Sequence, residues 1–154
     1  MDMLGVKLTA QDYLRRLSDE LDRVDTTAMQ RWSDLLVDAW KNRRQVFIVG
    51  NGGSGTSASH FAEDLGKSTV RDADLHNDSW QRLKVTSLTD NTGWIMAIGN
   101  DIGYEHIFSQ QLMNFGRPND ILIAISGSGN SPNILRAVEW ARRNRLITFG
   151  LTGY

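Results

Sequence analysis

The sequence predicts a three-layer α/β domain built on a doubly wound parallel sheet and preceded by an N-terminal helical hairpin. Three observations point there. Short apolar strands alternate with helical stretches from Gln45 onward, the pattern of a parallel sheet with helices on both faces. One strand, DILIAIS at 120–126, is apolar at successive positions, as a strand buried on both faces must be. Two glycine-serine loops each follow a strand and open a helix, where an open α/β sheet places its ligands.

Composition agrees with one globular domain. The chain has 154 residues, 40% of them hydrophobic, with 14 glycines, enough for a single sizeable core. The formal net charge of -1 gives no general attraction to nucleic acid or to an anionic membrane. There is no cysteine, which excludes disulfides and thiolate chemistry and fits a cytoplasmic location. The opening MDMLGVKLTAQDYLRR lacks the apolar run of a signal peptide. No stretch of about 18 apolar residues exists to span a membrane.

The elements follow in order. Tyr13, Leu14, Leu17, Leu21 and Val24 recur at helical spacing and predict a helix over 9–24. A second helix is expected over 27–40, with Trp32, Leu36, Ala39 and Trp40 on one side. Together, within residues 1–44, they form a hairpin that covers a sheet face or packs against a neighbouring subunit. The α/β domain is expected over 45–154. Its strands are QVFIVG at 45–50, RLKVTSL at 82–88, DILIAIS at 120–126 and LITFGLT at 146–152. Helices are expected over 57–67, 91–100, 104–115 and 131–144, the last with Pro132 suited to a first turn. The polar stretch 69–81 is longer than most connections. The Trp and Met residues fall mostly on apolar faces and read as core. No helix follows the fourth strand, so the domain is expected to be C-terminally truncated at Tyr154; a small four-stranded domain is the alternative.

The first loop is Gly50-Asn51-Gly52-Gly53-Ser54-Gly55 and the second Ser126-Gly127-Ser128-Gly129-Asn130-Ser131. Free backbone N–H groups and the helix dipole favour an anion at such places. Glycine allows close backbone approach, and serine adds hydroxyl donors. Neither loop holds Lys or Arg, so a phosphate would rest on N–H groups, hydroxyls and dipoles. Gly50, Gly52 and Gly55 also fit G-x-G-x-x-G, a dinucleotide fingerprint. That fingerprint wants an acidic residue about 20 positions on, at the end of the second strand. Asp90, the acid near that strand end, is too far along.

His60 and Asp64 stand four apart and share a helix face. An imidazole and a carboxylate so placed can bind one divalent metal, with zinc the natural candidate, or the carboxylate can act as a general base. A solvated helix face is the plain alternative. Two ligands do not complete a zinc site. Glu63 points away from His60 and reads as a surface charge, and no role falls to His76 or His106.

Several strings resemble the phosphoheptose isomerases of the sugar isomerase (SIS) family. They are Val49-Gly50-Asn51-Gly52-Gly53-Ser54, Ser59-His60-Phe61-Ala62-Glu63-Asp64-Leu65, Leu88-Thr89-Asp90-Asn91, Gly99-Asn100-Asp101-Ile102-Gly103-Tyr104, DILIAISGSGNSPN at 120–133 and Leu151-Thr152-Gly153. The resemblance implies an SIS-type, flavodoxin-like sheet. It implies an aldose–ketose isomerase that converts sedoheptulose 7-phosphate to a heptose 7-phosphate through an enediol-like intermediate, usually with zinc, in a cytoplasmic tetramer. By position, Asn51, Gly52, Gly53, Asn100 and Asp101 would line the sugar. Ser54, Ser126, Gly127, Ser128 and Ser131 would hold the phosphate. His60 and Asp64 would be catalytic residues and metal ligands.

Three departures stand out. The family usually has Glu at Asp64, so the carboxylate is retracted by roughly 1.5 Å, one carbon–carbon bond. It has Thr or Ser at Gly127, so one hydroxyl is lost. Its remaining metal ligands, a Gln and a His, would lie beyond Tyr154. The competing reading is a non-catalytic SIS module that binds a phosphosugar or serves as an oligomeric adaptor. Relatives of that kind tend to lose the second loop glycine and the helix carboxylate; Gly53 and Asp64 are both present here.

Overall fold

A computed structural model describes residues 8–153. Met1–Lys7, the start of the stretch read as lacking a signal peptide, and Tyr154, where the expected truncation falls, lie outside the described residues. The chain divides into two compact units after Asp34.

The first unit carries helix α1, Ala10–Asp22, and the start of α2, Thr26–Lys41. Each begins on a side-chain cap. Thr9 Oγ1 accepts the Asp12 N–H at 3.1 Å, and Asp25 Oδ1 accepts the Ala28 N–H at 3.0 Å, which satisfies donors that a helix start leaves open. No residue of α1 is buried; Tyr13, Leu14, Leu17 and Leu21 are exposed.

The second unit begins at Leu35, inside α2. Its elements are β1 Gln45–Gly50, α3 Gly52–Glu63, β2 Lys84–Ser87, α4 Thr92–Asp101, α5 Ser109–Phe115, β3 Ile121–Ser126, α6 Pro132–Arg143 and β4 Ile147–Thr152. All strand pairs are parallel, in the order β2-β1-β3-β4. The expected doubly wound sheet is therefore present. Right-handed crossovers decide the layers. The β1–β2 connection runs one way and the β2–β3 and β3–β4 connections the other, so α3 lies on one face and α4 to α6 on the opposite face. Strand alternation sends Phe47 and Val49 toward α4 to α6, where they join Leu88, Phe108, Leu112, Leu122 and Ile134 in the main core. Val46, Ile48, Ile121 and Ile123 are equally buried and face the α3 side, with Ala58 and Ala62.

At the amino ends of the strands, Asp120 is 6% exposed. Its Oδ1 accepts the Gln45 N–H at 2.9 Å and its Oδ2 the Arg117 N–H at 2.8 Å. One carboxylate thus ties the start of β1 to the turn before β3.

The structure corrects several boundaries. The helix expected over 57–67 starts five residues earlier, at Gly52, and beyond Glu63 widens into a π-helical turn, Asp64–Ser68. The helix expected over 104–115 is a 3-10 turn, Tyr104–His106, followed by α5. The stretch 69–81 is not shapeless: it holds a 3-10 turn at Asp72–Asp74, whose buried Asp74 is gripped by Arg71 at 2.7 Å. The guanidinium of Arg71 also stacks 4.9 Å from the Trp80 ring centre. None of the described Trp and Met residues belongs to the buried core. Trp94 and Trp140 pack half-buried at the core margin, while Met29, Met96 and Met113 are exposed.

Candidate active site

The sheet's winding reverses between β1 and β3, and in such sheets the crevice at the carboxyl ends of those strands takes the ligand. Gly50 at the end of β1 is in register with Ile125 of β3, so the two glycine-serine loops leave the sheet side by side. A pair of amides joins them. Asn51 Nδ2 donates to Asn133 Oδ1 at 2.8 Å, and Asn133 Nδ2 donates to Asn51 Oδ1 at 2.8 Å.

The first loop is short because α3 starts almost at once. A Cβ on Gly50 would stand 2.4 Å from the Ser54 carbonyl oxygen, so only glycine lets the strand end pass so close to the first turn. Gly52 has φ 52°, the left-handed region that glycine enters freely. Asn51 occupies the N-cap position of α3, where Asn normally accepts a first-turn N–H. Here it makes no side-chain cap bond, because its amide is engaged with Asn133. Ser131, at the N-cap of α6, makes none either. Neither N-cap side chain therefore closes its helix start, although Asn133 Oδ1 accepts the Ile134 N–H within α6; two helix N-termini side by side at the strand ends suit an anion.

The second loop is ordered by its own hydrogen bonds. The Gly129 N–H reaches Ser126 Oγ at 3.2 Å, the Asn130 N–H reaches Ser128 Oγ at 3.3 Å, and the Gly153 N–H reaches the Gly127 carbonyl at 3.0 Å. In the first two the serine oxygens accept, so their O–H groups remain to donate.

Two clefts open here. One of about 350 Å³ is bordered by Asn51, Gly52, Thr56, Ser59, Thr89 and Tyr104. The other, of about 430 Å³, is bordered by Asn51, Tyr104, Glu105, Ser131, Asn133 and Arg136. Each is of the size that accepts a small ligand. Tyr104 OH donates to Asn51 Oδ1 at 3.4 Å, so Asn51 and Tyr104 sit at the junction. Behind the first cleft, the hydroxyls of Ser87, Thr89 and Ser59 form a hydrogen-bonded chain that ends on the Asp90 carboxylate.

The structure brings together Asn51, Gly52 and Ser131 on the cleft walls, with Gly53 and Ser54 in the adjoining first turn of α3 and Ser126, Gly127 and Ser128 in the second loop. His60 and Asp64 continue the Gly52–Thr56 stripe one and two turns farther along and border neither cleft. His60 Nε2 lies 3.5 Å from Asp64 Oδ2, both side chains largely exposed, and Ser68 Oγ donates to Asp64 Oδ1 at 3.3 Å. Asp64 opens the π-helical turn, a local widening that recurs at functional sites. Among the described residues no group of three metal-ligating side chains forms. Glu63, read as a surface charge, pairs with Lys67 at 3.4 Å. Asn100 and Asp101 end α4, exposed, with Asn100 Nδ2 donating to Asp101 Oδ1 at 2.7 Å.

Sequence reasoning missed Tyr104, Asn133, Arg136 and Ser59. Arg136, in the second turn of α6, borders the second cleft and is cationic, as no residue of the two loops is. Only its position one turn after the Ser-rich loop could have flagged it.

The SIS domain family model matches residues 11–153. The chain belongs to the SIS-domain family. Within that family it is similar to phosphoheptose isomerases. The enzyme of Rhodospirillum rubrum is 42% identical over 145 residues, which cover 94% of this chain and 71% of that protein. The enzyme of Chlorobaculum parvum is 34% identical over 92% of this chain and 65% of its own length. Among solved structures, the phosphoheptose isomerase of Neisseria gonorrhoeae aligns with a TM-score of 0.71 at 31% identity, over 95% of this chain and 76% of that one. That of Francisella tularensis aligns with a TM-score of 0.77 at 28% identity, over 96% and 77%. SIS membership leaves the dinucleotide reading of Gly50, Gly52 and Gly55 without support.

Proposed function

We propose that this SIS domain is a phosphoheptose isomerase that binds sedoheptulose 7-phosphate at the β1–β3 switch point and interconverts it with a heptose 7-phosphate. The observation that carries the reading is the pair of helix starts, α3 and α6, whose N-cap residues Asn51 and Ser131 make no cap bond and which are joined through Asn51 and Asn133. In this reading the phosphate rests on loop N–H groups other than the engaged ones of Gly129 and Asn130, and on Ser54, Ser126, Ser128 and Ser131, with Gly127 giving backbone access. The sugar lies toward Asn51, Gly52 and Gly53, and toward Asn100 and Asp101.

The Asp64 carboxylate is the proposed base. It takes a proton from the hydroxyl-bearing carbon beside the ketone and returns it to the former carbonyl carbon, while the hydroxyl proton passes to the former carbonyl oxygen through the enediol-like intermediate, so that ketose and aldose exchange with no net change of atoms. The imidazole and carboxylate of His60 and Asp64 are suitable donors for one zinc ion, and their exposure leaves them accessible. They are two ligands of a set that needs more, and among the described residues no third joins them. When bound, such an ion would polarise the sugar carbonyl. A cytoplasmic homo-tetramer is the proposed assembly, and the exposed apolar stripe of α1 supports association between copies. No helix among the described residues is long and apolar enough to cross a membrane.

One observation favours a second reading, the non-catalytic phosphosugar-binding module: His60 and Asp64 border neither cleft. Turnover of sedoheptulose 7-phosphate with added zinc, together with calorimetric binding, separates the two in the protein carrying this sequence. Turnover that disappears in Asp64→Ala while binding persists supports the isomerase. Binding without turnover leaves the module. Neither binding nor turnover overturns both.

A further inference from the structure

We infer that Asn133 is a positioning residue of the sugar site: it orients the Asn51 amide so that the group left for a ligand is an N–H donor and not a carbonyl acceptor. This deepens the proposed function and rests on its placement of the sugar.

A side-chain amide can present either its oxygen or its nitrogen, and its network decides which. The network here starts from a backbone group that can only donate. The Ile134 N–H points to Asn133 Oδ1 at 3.0 Å, which fixes the side of Asn133 that carries oxygen. Asn133 is 1% exposed, so water does not compete. That oxygen also accepts from Asn51 Nδ2, and Asn133 Nδ2 donates back to Asn51 Oδ1, both at 2.8 Å. Turning Asn51 over would set oxygen against oxygen and nitrogen against nitrogen, and would cost both bonds.

The remaining capacity of Asn51 follows by subtraction. Its oxygen has two lone pairs, one engaged by Asn133 and the other by the Tyr104 hydroxyl. Its nitrogen has two hydrogens, one of them given to Asn133. One N–H is left, on a residue that borders both clefts. It suits a ligand oxygen with a free lone pair, a sugar hydroxyl or carbonyl, and it opposes an ammonium group at the same place. The orientation is inherited from the α6 backbone through Asn133, so Asn133 acts without touching the ligand.

The test is a double-mutant cycle on the protein carrying this sequence, with sedoheptulose 7-phosphate and inorganic phosphate as separate probes. Asn51→Ala and Asn133→Leu should each weaken sedoheptulose 7-phosphate binding about tenfold, the loss of roughly one hydrogen bond. Inorganic phosphate, which does not reach the sugar subsite, should change less than about threefold. Asn133→Leu added to Asn51→Ala should weaken binding by less than about twofold further, because its effect passes through Asn51. Additive losses, or an equal loss for both probes, would show that Asn133 merely holds the loops and overturn the inference. If Asn133→Leu does not fold, Asn133→Ser runs the same cycle. A wild-type protein that does not bind sedoheptulose 7-phosphate refutes the proposed function instead. The amide lock is then judged by NMR without ligand. One Asn51 side-chain proton should exchange more slowly than the other, and lose that protection in Asn133→Ser. Equal exchange of the two protons in the wild type overturns it.

Discussion

Two glycines of the first loop should respond to alanine with opposite signs. At Gly50, the new Cβ would lie 2.4 Å from the Ser54 carbonyl oxygen, 2.5 Å from its carbon and 2.8 Å from the Gly55 nitrogen. A comfortable non-bonded separation is about 3.5 Å, so something must move by roughly 1 Å. All three obstacles are backbone of the first turn of α3, so no side-chain rotation relieves them. Overpacking costs about 1–3 kcal/mol and occasionally more, and a rigid neighbour places Gly50→Ala at the upper end. For a chain of this size that is a fall in Tm of about 6–12 °C. Gly53 is the reverse case. Nothing lies within 4 Å of its Cβ position, and it sits inside α3. Alanine there should stabilise by about 0.5–1 kcal/mol, or roughly 1–4 °C. Yet the added methyl fills space assigned to the sugar, so Gly53→Ala should bind sedoheptulose 7-phosphate more weakly while melting higher. Thermal melts followed by circular dichroism, with calorimetric titration of each variant, read both effects. Gly50→Ala melting within about 2 °C of the wild type, or Gly53→Ala melting lower, would refute this reasoning.

Asp120→Ala removes two bonds from a buried carboxylate to backbone N–H groups; it should cost about 3 kcal/mol or more in urea unfolding. Phosphosugar affinity should hardly change in that variant, because Asp120 lies at the opposite end of the strands. Arg71→Lys keeps the charge but loses the planar grip on Asp74 and the stack on Trp80. It should cost about 1 kcal/mol and expose the 69–81 connection to protease, measured as a faster cleavage rate. Asp64→Glu restores the missing methylene, and should raise kcat at least several-fold in steady-state assays while the affinity for inorganic phosphate stays unchanged.

The sheet was legible because its strands are apolar runs bounded by turn residues, and because parallel winding leaves few alternatives. The start of α3 was not. Gly52, Gly53 and Gly55 are poor helix formers, and local rules make that segment a loop. It becomes helix where β1 delivers it to the sheet's end, and the Cβ positions of Gly52 and Gly53 there face open space. The π-helical turn arises where Gly66 passes close to Val85, its Cβ position 3.3 Å from Val85 Cγ1, a contact that no local window contains. For α1, periodicity predicted the helix and its apolar stripe, but periodicity does not say what covers a stripe. Within the site, loop residues from Asn51 to Ser131 could be named because glycine and serine after a strand carry their own chemistry. Asn133 and Tyr104 reach Asn51 across 82 and 53 residues, and nothing in their own neighbourhoods announces it.

That separation also sets an order of events in time. When β1 and its loop leave the ribosome, the strand beside which they work has not been made. The local half of the fold can form early, but the pairing of β1 with β3 closes a long stretch of chain and is correspondingly slow. Until Asn133 arrives, Asn51 is an ordinary N-cap candidate, free to close the start of its own helix. The finished sheet takes that cap away and leaves an opening for a ligand. A phosphosugar that binds only this finished arrangement stabilises it by mass action and rewards no partial fold. The metabolite would then act on the newborn enzyme as a proofreader of its own binding site.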